Sequence, residues 1–314
     1  MAQGHRIDVH HHPTPVLELM GGRVSGAPGI KGWTAAVSLE DMDKNGVATA
    51  ILSMPSRANV WRSGDQARNR AMARQWNEFM TRQETEHPGR FGVFASVPIF
   101  DIEGSLREAE YALDQLKADG ITLMTNMGDK WLGDPHYAPV FEELNRRGTI
   151  LYTHPVAPNC CRDLLPELND SVIEYGADTS RAIAKMIYGG SAARYPKMRV
   201  IFSHAGGSLP YSAFRFIRHS GRLGPELKAN MPDGFVAMLN KFHYDTANTS
   251  NRYAMGSFRE LIAISQLMFG TDFPFGHADH DAKSLRDCGF SDAELRAIEC
   301  ENAYRLWPRL KPAR

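Results

Sequence analysis

IDVHHHPTP, Ile7 to Pro15, begins as an alternating apolar and polar run, passes through three consecutive histidines and stops at proline. Alternation with a period of two marks a strand, and proline closes it. Side chains on a strand alternate faces, so His10 and His12 share one side and His11 points to the other. The same rule puts Asp8 on the His10 side, one step deeper. Two imidazoles at i and i+2 make half of a metal site. A purification tag has the same composition, so the stretch gains meaning only from partners elsewhere.

Further along the chain, strand-like and helix-like runs alternate. Apolar runs of strand length occupy residues 47–54, 91–97, 120–125, 149–154, 198–204, 242–247 and 266–272. Apolar residues at helical spacing fill 64–86, 103–117, 137–147, 182–195, 211–218, 253–262 and 292–306, with Ser291 placed to cap the last. With residues 6–11 this makes eight strands alternating with helices, the pattern of a parallel sheet covered by helices. Eight units predict a closed α/β architecture, a (β/α)8 TIM barrel, as one domain over residues 1–314. The length suits a barrel of about 250 residues plus insertions.

Composition narrows the partners. Net charge is zero, 43% of residues are hydrophobic and 23% are charged, which argues against nucleic acid and anionic membrane surfaces. No apolar run approaches the ~20 residues of a membrane span. The start, MAQGHRIDVHHH, has no apolar core of a signal peptide. Cys160 and Cys161 are adjacent, Cys288 and Cys300 stand apart, and no CxxC occurs. The expectation is a reducing, cytoplasmic setting with no disulfide framework.

A TIM barrel carries its chemistry at the C-terminal ends of its strands. His10 and His12 end the first strand, His154 ends the fifth in YTHP, His204 the sixth in FSHAGG, and Asp272 the eighth in FGTDFPFG. A lone histidine at a strand end is ordinarily a packed or solvated residue. An HxH, two further strand-end histidines and a strand-end aspartate in barrel order are together hard to obtain by chance. Imidazoles with one carboxylate suit Zn²⁺, with Mn²⁺ as the alternative, and leave a position open for water or substrate. His11 is expected to point away into the surrounding structure.

IDVHHH, THP, FSHAGG and GTDFPFG, in this order and spacing, resemble the amidohydrolase superfamily of metal-dependent hydrolase-type barrels. More narrowly they resemble the amidohydrolase-2 branch of aminocarboxymuconate semialdehyde, γ-resorcylate and 5-carboxyvanillate decarboxylases. GDKWLGDPHYAPVFEELNRR followed by THPVAPNCC is similar to the 6-methylsalicylate decarboxylase-like group. The resemblance implies His10, His12, His154 and Asp272 as ligands of one divalent metal, with His204 as a catalytic histidine beside it. It implies that Arg215, eleven residues after His204, reaches a neighbouring active site in a homodimer and holds a substrate carboxylate. Binuclear relatives have a bridging lysine or acid on the fourth or fifth strand. Here LMTNM and a histidine stand there, which favours one metal.

The implied reaction is non-oxidative decarboxylation of a small hydroxy-substituted aromatic acid. The metal would hold the phenolic oxygen, Asp272 would protonate the ring carbon bearing the carboxylate, and His204 would support it. A metal-dependent lactone or amide hydrolase, or a hydratase, would present the same motifs. A catalytically idle barrel used as a scaffold would have no need of the whole set.

Other residues carry weaker expectations. Arg57 and Arg62, in the loop PSRANVWRSG, could clamp a carboxylate and Trp61 could stack on a ring, against the ordinary reading of a solvated loop. Asn126 and Trp131 in NMGDKWL are candidate pocket walls, and Trp33 a core residue. HADHD, residues 277–281, has the composition of a second metal site but reads as a solvated loop beyond the strand. Asp245 in YDTA either meets a ligand or braces the barrel.

Overall fold

The computed structural model describes residues 5–13, 33–55, 61 and 64–312; Arg57 and Arg62 lie outside the described residues. Its eight main strands are β1 (Arg6–His11), β2 (Val47–Leu52), β3 (Phe91–Ser96), β4 (Gly120–Met124), β5 (Ile150–His154), β6 (Arg199–Phe202), β7 (His243–Asp245) and β8 (Leu267–Met268). They pair in parallel and in chain order. Three backbone hydrogen bonds join the edges into a barrel. Val9 N–H donates to Phe269 O at 3.0 Å, Asp272 N–H to His10 O at 2.9 Å and His12 N–H to Phe273 O at 2.8 Å. The last strand is therefore sewn to the first at the histidine run.

Two apolar layers hold this ring. Inside it, Ile7, Val9, Ile51, Phe94, Tyr152, Ile201 and Met268 pack together, with Phe94 stacked on Tyr152 at 4.8 Å. Trp307 closes the bottom and donates its indole N–H to Asp119 O. The barrel is filled rather than hollow, as the fold requires. Outside it, alternate residues such as Val93, Leu123, Leu151, Val200 and Tyr244 meet the helices.

The helices include α1 (Ala35–Asn45), α2 (Gln66–Glu86), α3 (Ile102–Asp114), α4 (Ala138–Arg147), α5 (Glu174–Tyr188), α6 (Leu209–Ser220), α7 (Arg252–Arg259) and α8 (Ala278–Arg286). Helix α1 had no counterpart in the sequence reading. Its signals are local: the Thr34 side chain caps the start, and Gly46, at φ 68°, ends it. Helix α5 begins eight residues before the expected position of 182, because its first turns are polar and break the apolar spacing. The final helix runs through Asp292–Arg296, a π turn at Ala297–Glu301 and Asn302–Leu306. Ser291 caps it in a reciprocal box with Glu294.

Two expectations are corrected. HADHD is not a solvated loop: His277 sits at the N-cap and residues 278–281 open α8, where exposed Asp279 suits the positive end of the helix. Asp8 does not share the face of His10. The β1–β2 register slips between Asp8 and His11, a bulge that reverses the alternation. Ile7 and Val9 face the barrel interior, yet so does His10, whose ring lies 5.5 Å from Tyr152. Asp8 is left outside with His11, and their side chains bond at 2.9 Å.

Among the described residues, no helix is long and apolar enough to cross a membrane.

Candidate metal centre and active site

His10, His12, His154 and Asp272 converge at the C-terminal mouth of the barrel. One ligand atom from each lies within 4.8 Å of all the others, and all four residues are buried. His10 and His12 Nε2 are 3.0 Å apart, and Asp272 Oδ1 stands 3.2 Å from the first, 3.1 Å from the second and 3.9 Å from His154 Nε2.

The outer nitrogens decide what the inner ones can do. His10 Nδ1 faces Asp245 Oδ2 at 3.0 Å, His12 Nδ1 faces the Ser53 carbonyl at 3.0 Å, and His154 Nδ1 faces the Pro155 carbonyl at 2.9 Å. Each partner accepts only, so each Nδ1 carries the proton and each Nε2 presents a lone pair. Three lone pairs and a carboxylate oxygen therefore point at one another. Among the described residues, His154 Nε2 and Asp272 Oδ1 are buried with no hydrogen-bond partner. A cation resolves this arrangement, and the donor set is one that divalent metals take. The cluster is a buried site for a divalent metal.

Charge gives the same answer. Burial alone would depress His10, but Asp245 and Asp272 outweigh it and raise its pKa to about 10. Two buried carboxylates thus draw a positive charge into the site: in the absence of a metal it is a second proton on His10 Nε2, which a bound cation would displace to leave the lone pair. Burial lowers His12 and takes His154 down to about 3, so these rings stay neutral and free to ligate. Burial disfavours ionised Asp272, yet His10, His12 and His154 hold its pKa well below the usual carboxylate range.

The remaining groups orient this cluster. Asp245, fully buried, accepts from His10 Nδ1 and the Tyr152 hydroxyl on one oxygen and from the backbone N–H of His204 and Ala247 on the other. Of its two expected roles, the bracing one is visible. His204 Nε2 lies 3.4 Å from Asp272 Oδ2, the same oxygen that accepts from Asn248 Nδ2 at 2.7 Å. His204, Ala205, Asn248 and Asp272 all have positive φ, between 51° and 60°. This unfavourable backbone is concentrated around the site. At Gly207, φ is 66° and a Cβ would lie 2.3 Å from Gly176 O, so only glycine lets the SHAGG turn approach α5.

His11 is turned away. Trp33 Nε1 donates to Ser38 Oγ, the Ser38 hydroxyl faces His11 Nε2 at 2.8 Å, and His11 Nδ1 faces Asp8. Thr271 also donates to Asp8, and His11 stacks on Phe273 at 4.5 Å. Trp33 is buried, as a core residue would be.

The substrate-side expectations fare differently. Asn126 and Trp131 are cross-strand partners in a short ribbon after β4, and both donate to Asp178, Asn126 at 2.7 Å and Trp131 Nε1 at 2.7 Å. Trp61 is half-buried against the helix-side core. Arg215 lies on the exposed face of α6, and no hydrogen bond or ion pair joins it to the cluster of its own chain. The sequence reading missed Asp178, Asn248 and Tyr175, whose ring meets His154 edge-on at 5.9 Å. Only Asn248 had a local signal, an asparagine just past a strand end, a residue type that tolerates positive φ.

A closed (β/α)8 barrel with this buried cluster at its strand ends defines a metal-dependent barrel enzyme. Residues 7–309 match the Amidohydrolase family profile, and the chain belongs to that family. It is 34% identical to 6-methylsalicylic acid decarboxylase of Penicillium expansum, over 98% of this chain and 97% of the relative. It is 32% identical to 6-methylsalicylic acid decarboxylase acuB of Aspergillus aculeatus, over 98% and 97%. Among solved structures it resembles a dihydroxybenzoic acid decarboxylase from Polaromonas sp. with bound manganese and 2-nitroresorcinol. The TM-score there is 0.83 at 22% identity, covering 99% of this chain and 98% of the other. These named relatives are all carboxy-lyases.

Proposed function

We propose that this chain is a non-oxidative decarboxylase of a hydroxy-substituted aromatic carboxylic acid of the salicylate or 6-methylsalicylate type. The observation that carries the reading is the pairing of three lone-pair imidazoles with one carboxylate, Asp272, whose second oxygen is held by Asn248 beside His204. The near full-length similarity to 6-methylsalicylic acid decarboxylases supports the substrate class.

His10, His12, His154 and Asp272 would hold a divalent ion, which supplies Lewis-acid attraction for the phenolic and carboxylate oxygens of the substrate. Zn²⁺ is the proposed ion, and Mn²⁺ suits the same donors. Asp272, ionised in the resting site, would take up the phenolic proton of the substrate on Oδ2 and deliver it to the ring carbon that carries the carboxylate, and that carbon becomes tetrahedral. The bond to the carboxylate then breaks, its electron pair restores the aromatic ring, and CO₂ leaves. His204, 3.4 Å from Asp272 Oδ2, is placed to replace the proton Asp272 gives up. Asn248 fixes that oxygen, and Asp245 fixes His10 and the His204 backbone.

The proposed assembly is a homodimer in which Arg215 holds the carboxylate of a substrate in the partner's site. In its support, Arg215 shares the exposed face of α6 with Tyr211 and Phe214, which are 88% and 72% exposed. Exposed apolar side chains grouped this way favour an interface. The function is tested by incubating the metal-loaded chain with a panel of hydroxybenzoates and following CO₂ and phenol. Release of both from an ortho-hydroxy acid is expected. Cleavage of a lactone or amide instead, with no CO₂ from any acid, would overturn the reading.

A further inference from the structure

His154 is the least braced of the four clustered residues. His10 is tied to a buried carboxylate, and His12 lies against the Ser53 carbonyl of the neighbouring strand. Among the described residues, His154 Nδ1 bonds only the carbonyl of the next residue, Pro155. Its position therefore depends on the backbone of 154–156, and two contacts hold that backbone from the ribbon that follows β4. Thr125 N–H donates to His154 O at 3.0 Å, and Asn126 Nδ2 donates to Val156 O at 2.8 Å.

Both contacts lead to one residue. Asp178, on the first turns of α5, is fully buried. It accepts from the Thr125 hydroxyl and Asn126 Nδ2 on one oxygen, and from Trp131 Nε1 on the other, with Arg181 3.6 Å away. A buried carboxylate is costly unless its lone pairs are filled, and here three donors from a seven-residue ribbon fill them. Asn126 and Trp131 are directly opposed in that ribbon, and Leu132 N–H returns to Thr125 O, so the ribbon is held at its start and its end. The same turns of α5 are seated from the other side, where Ser208 N–H donates to Gly176 O at 3.1 Å, and Tyr175 of these turns meets the His154 ring.

We infer that Asp178 is the positioning residue for the His154 side of the metal centre. It acts through Thr125 and Asn126 on the 154–156 backbone and sets where His154 Nε2 points. The inference rests on the metal-centre reading and adds to it a residue outside the ligand set. Asp178→Asn keeps the shape but turns an amide N–H₂ toward either Trp131 Nε1 or Asn126 Nδ2, both donors, so the ribbon must shift. Asn126→Ala removes the tie to Val156 and leaves Asp178 in place.

The test is metal binding by the full chain, read without turnover. Mn²⁺ affinity is measured by chelator competition, and the absorption bands of the Co²⁺-loaded chain report ligand geometry. Asp178→Asn and Asn126→Ala are expected to weaken Mn²⁺ binding roughly tenfold or more and to shift the Co²⁺ bands. Ser291→Ala, which removes a helix cap far along the chain, should lower the melting temperature and leave both readouts unchanged. If Asp178→Asn does not fold, Asn126→Ala carries the same two readouts. Wild-type affinity and an unshifted Co²⁺ spectrum in the folded variants would overturn the inference and leave the metal centre standing. A wild-type chain that binds neither ion would overturn both.

Discussion

His10 Nδ1 and Asp245 Oδ2 lie 3.0 Å apart, and both side chains are completely buried. This pair sets the tautomer of His10 and thereby turns its Nε2 lone pair toward His12 and Asp272. Asp245 belongs to β7 and His10 to β1, so the bond passes over β8, which lies between them. Asp245→Asn keeps the size but lets an amide hydrogen face Nδ1, which reverses the tautomer. Metal affinity should fall by about 10–100-fold, measured by chelator competition, with the circular dichroism spectrum unchanged.

Asp272→Asn separates holding a metal from moving a proton. Three imidazoles remain, so most of the metal should stay bound in elemental analysis, while turnover falls below detection. Wild-type turnover by this variant would contradict the role given to Asp272.

His11 should matter to the fold and not to the metal. His11→Ala removes a partner of buried Asp8 and the ring stacked on Phe273. Asp8 keeps its donors from Thr271 and the His10 backbone, so losing one partner and opening a cavity should cost about 2–4 kcal/mol, read by urea unfolding. Metal stoichiometry in the folded fraction should match wild type. Loss of the metal would mean that the wrong histidines had been paired.

Arg215 should be complemented between chains. In the proposed homodimer, Arg215→Ala and Asp272→Asn chains, each paired with itself, are expected to be inactive or nearly so. In mixed dimers, one site combines an intact Asp272 with an Arg215 from the other chain, and activity should return. No recovery on mixing and refolding would contradict a role in trans.

Asp281 makes stability depend on pH. Burial raises its pKa from 3.8 to about 7, helped by Asp8, Asp245 and Asp272 and opposed by a hydrogen bond from Ser250. A raised carboxyl favours the folded state while protonated. Its cost is absent below pH ~4, grows through the window up to about 7 and is complete above it. Asp281→Asn should therefore gain stability over wild type as pH rises from 4 to 8, by at most about 4 kcal/mol. A stability difference that stays flat across that range would contradict this.

What could be read from the sequence had short-range or periodic causes. The eight strands are apolar runs bounded by turn residues, and His10, His12, His154, His204 and Asp272 stand where those runs stop. Strand period and barrel polarity were enough to place them at one mouth. The failures follow from features with no period. One slipped residue in β1 sent Asp8 outward to His11, and alternation cannot anticipate a bulge. The polar start of α5 hid the helix that carries Asp178, which lies 52 residues from the Asn126 it holds. HADHD reads as loop by composition, but two acids in a first turn also open a helix. Trp61 packs against the helix-side core and Trp131 is tied to Asp178, contacts that nothing local in the sequence announces.

The most direct measurement combines chemistry with metal dependence: CO₂ release from 6-methylsalicylate and from its analogue lacking the ortho hydroxyl, before and after removal of divalent ions. The account predicts CO₂ and the corresponding phenol from the hydroxy acid alone, loss of activity on chelation, and recovery with Zn²⁺ or Mn²⁺. Undiminished CO₂ release from a chain stripped of divalent metal, or equal turnover of the acid without the hydroxyl, would contradict it.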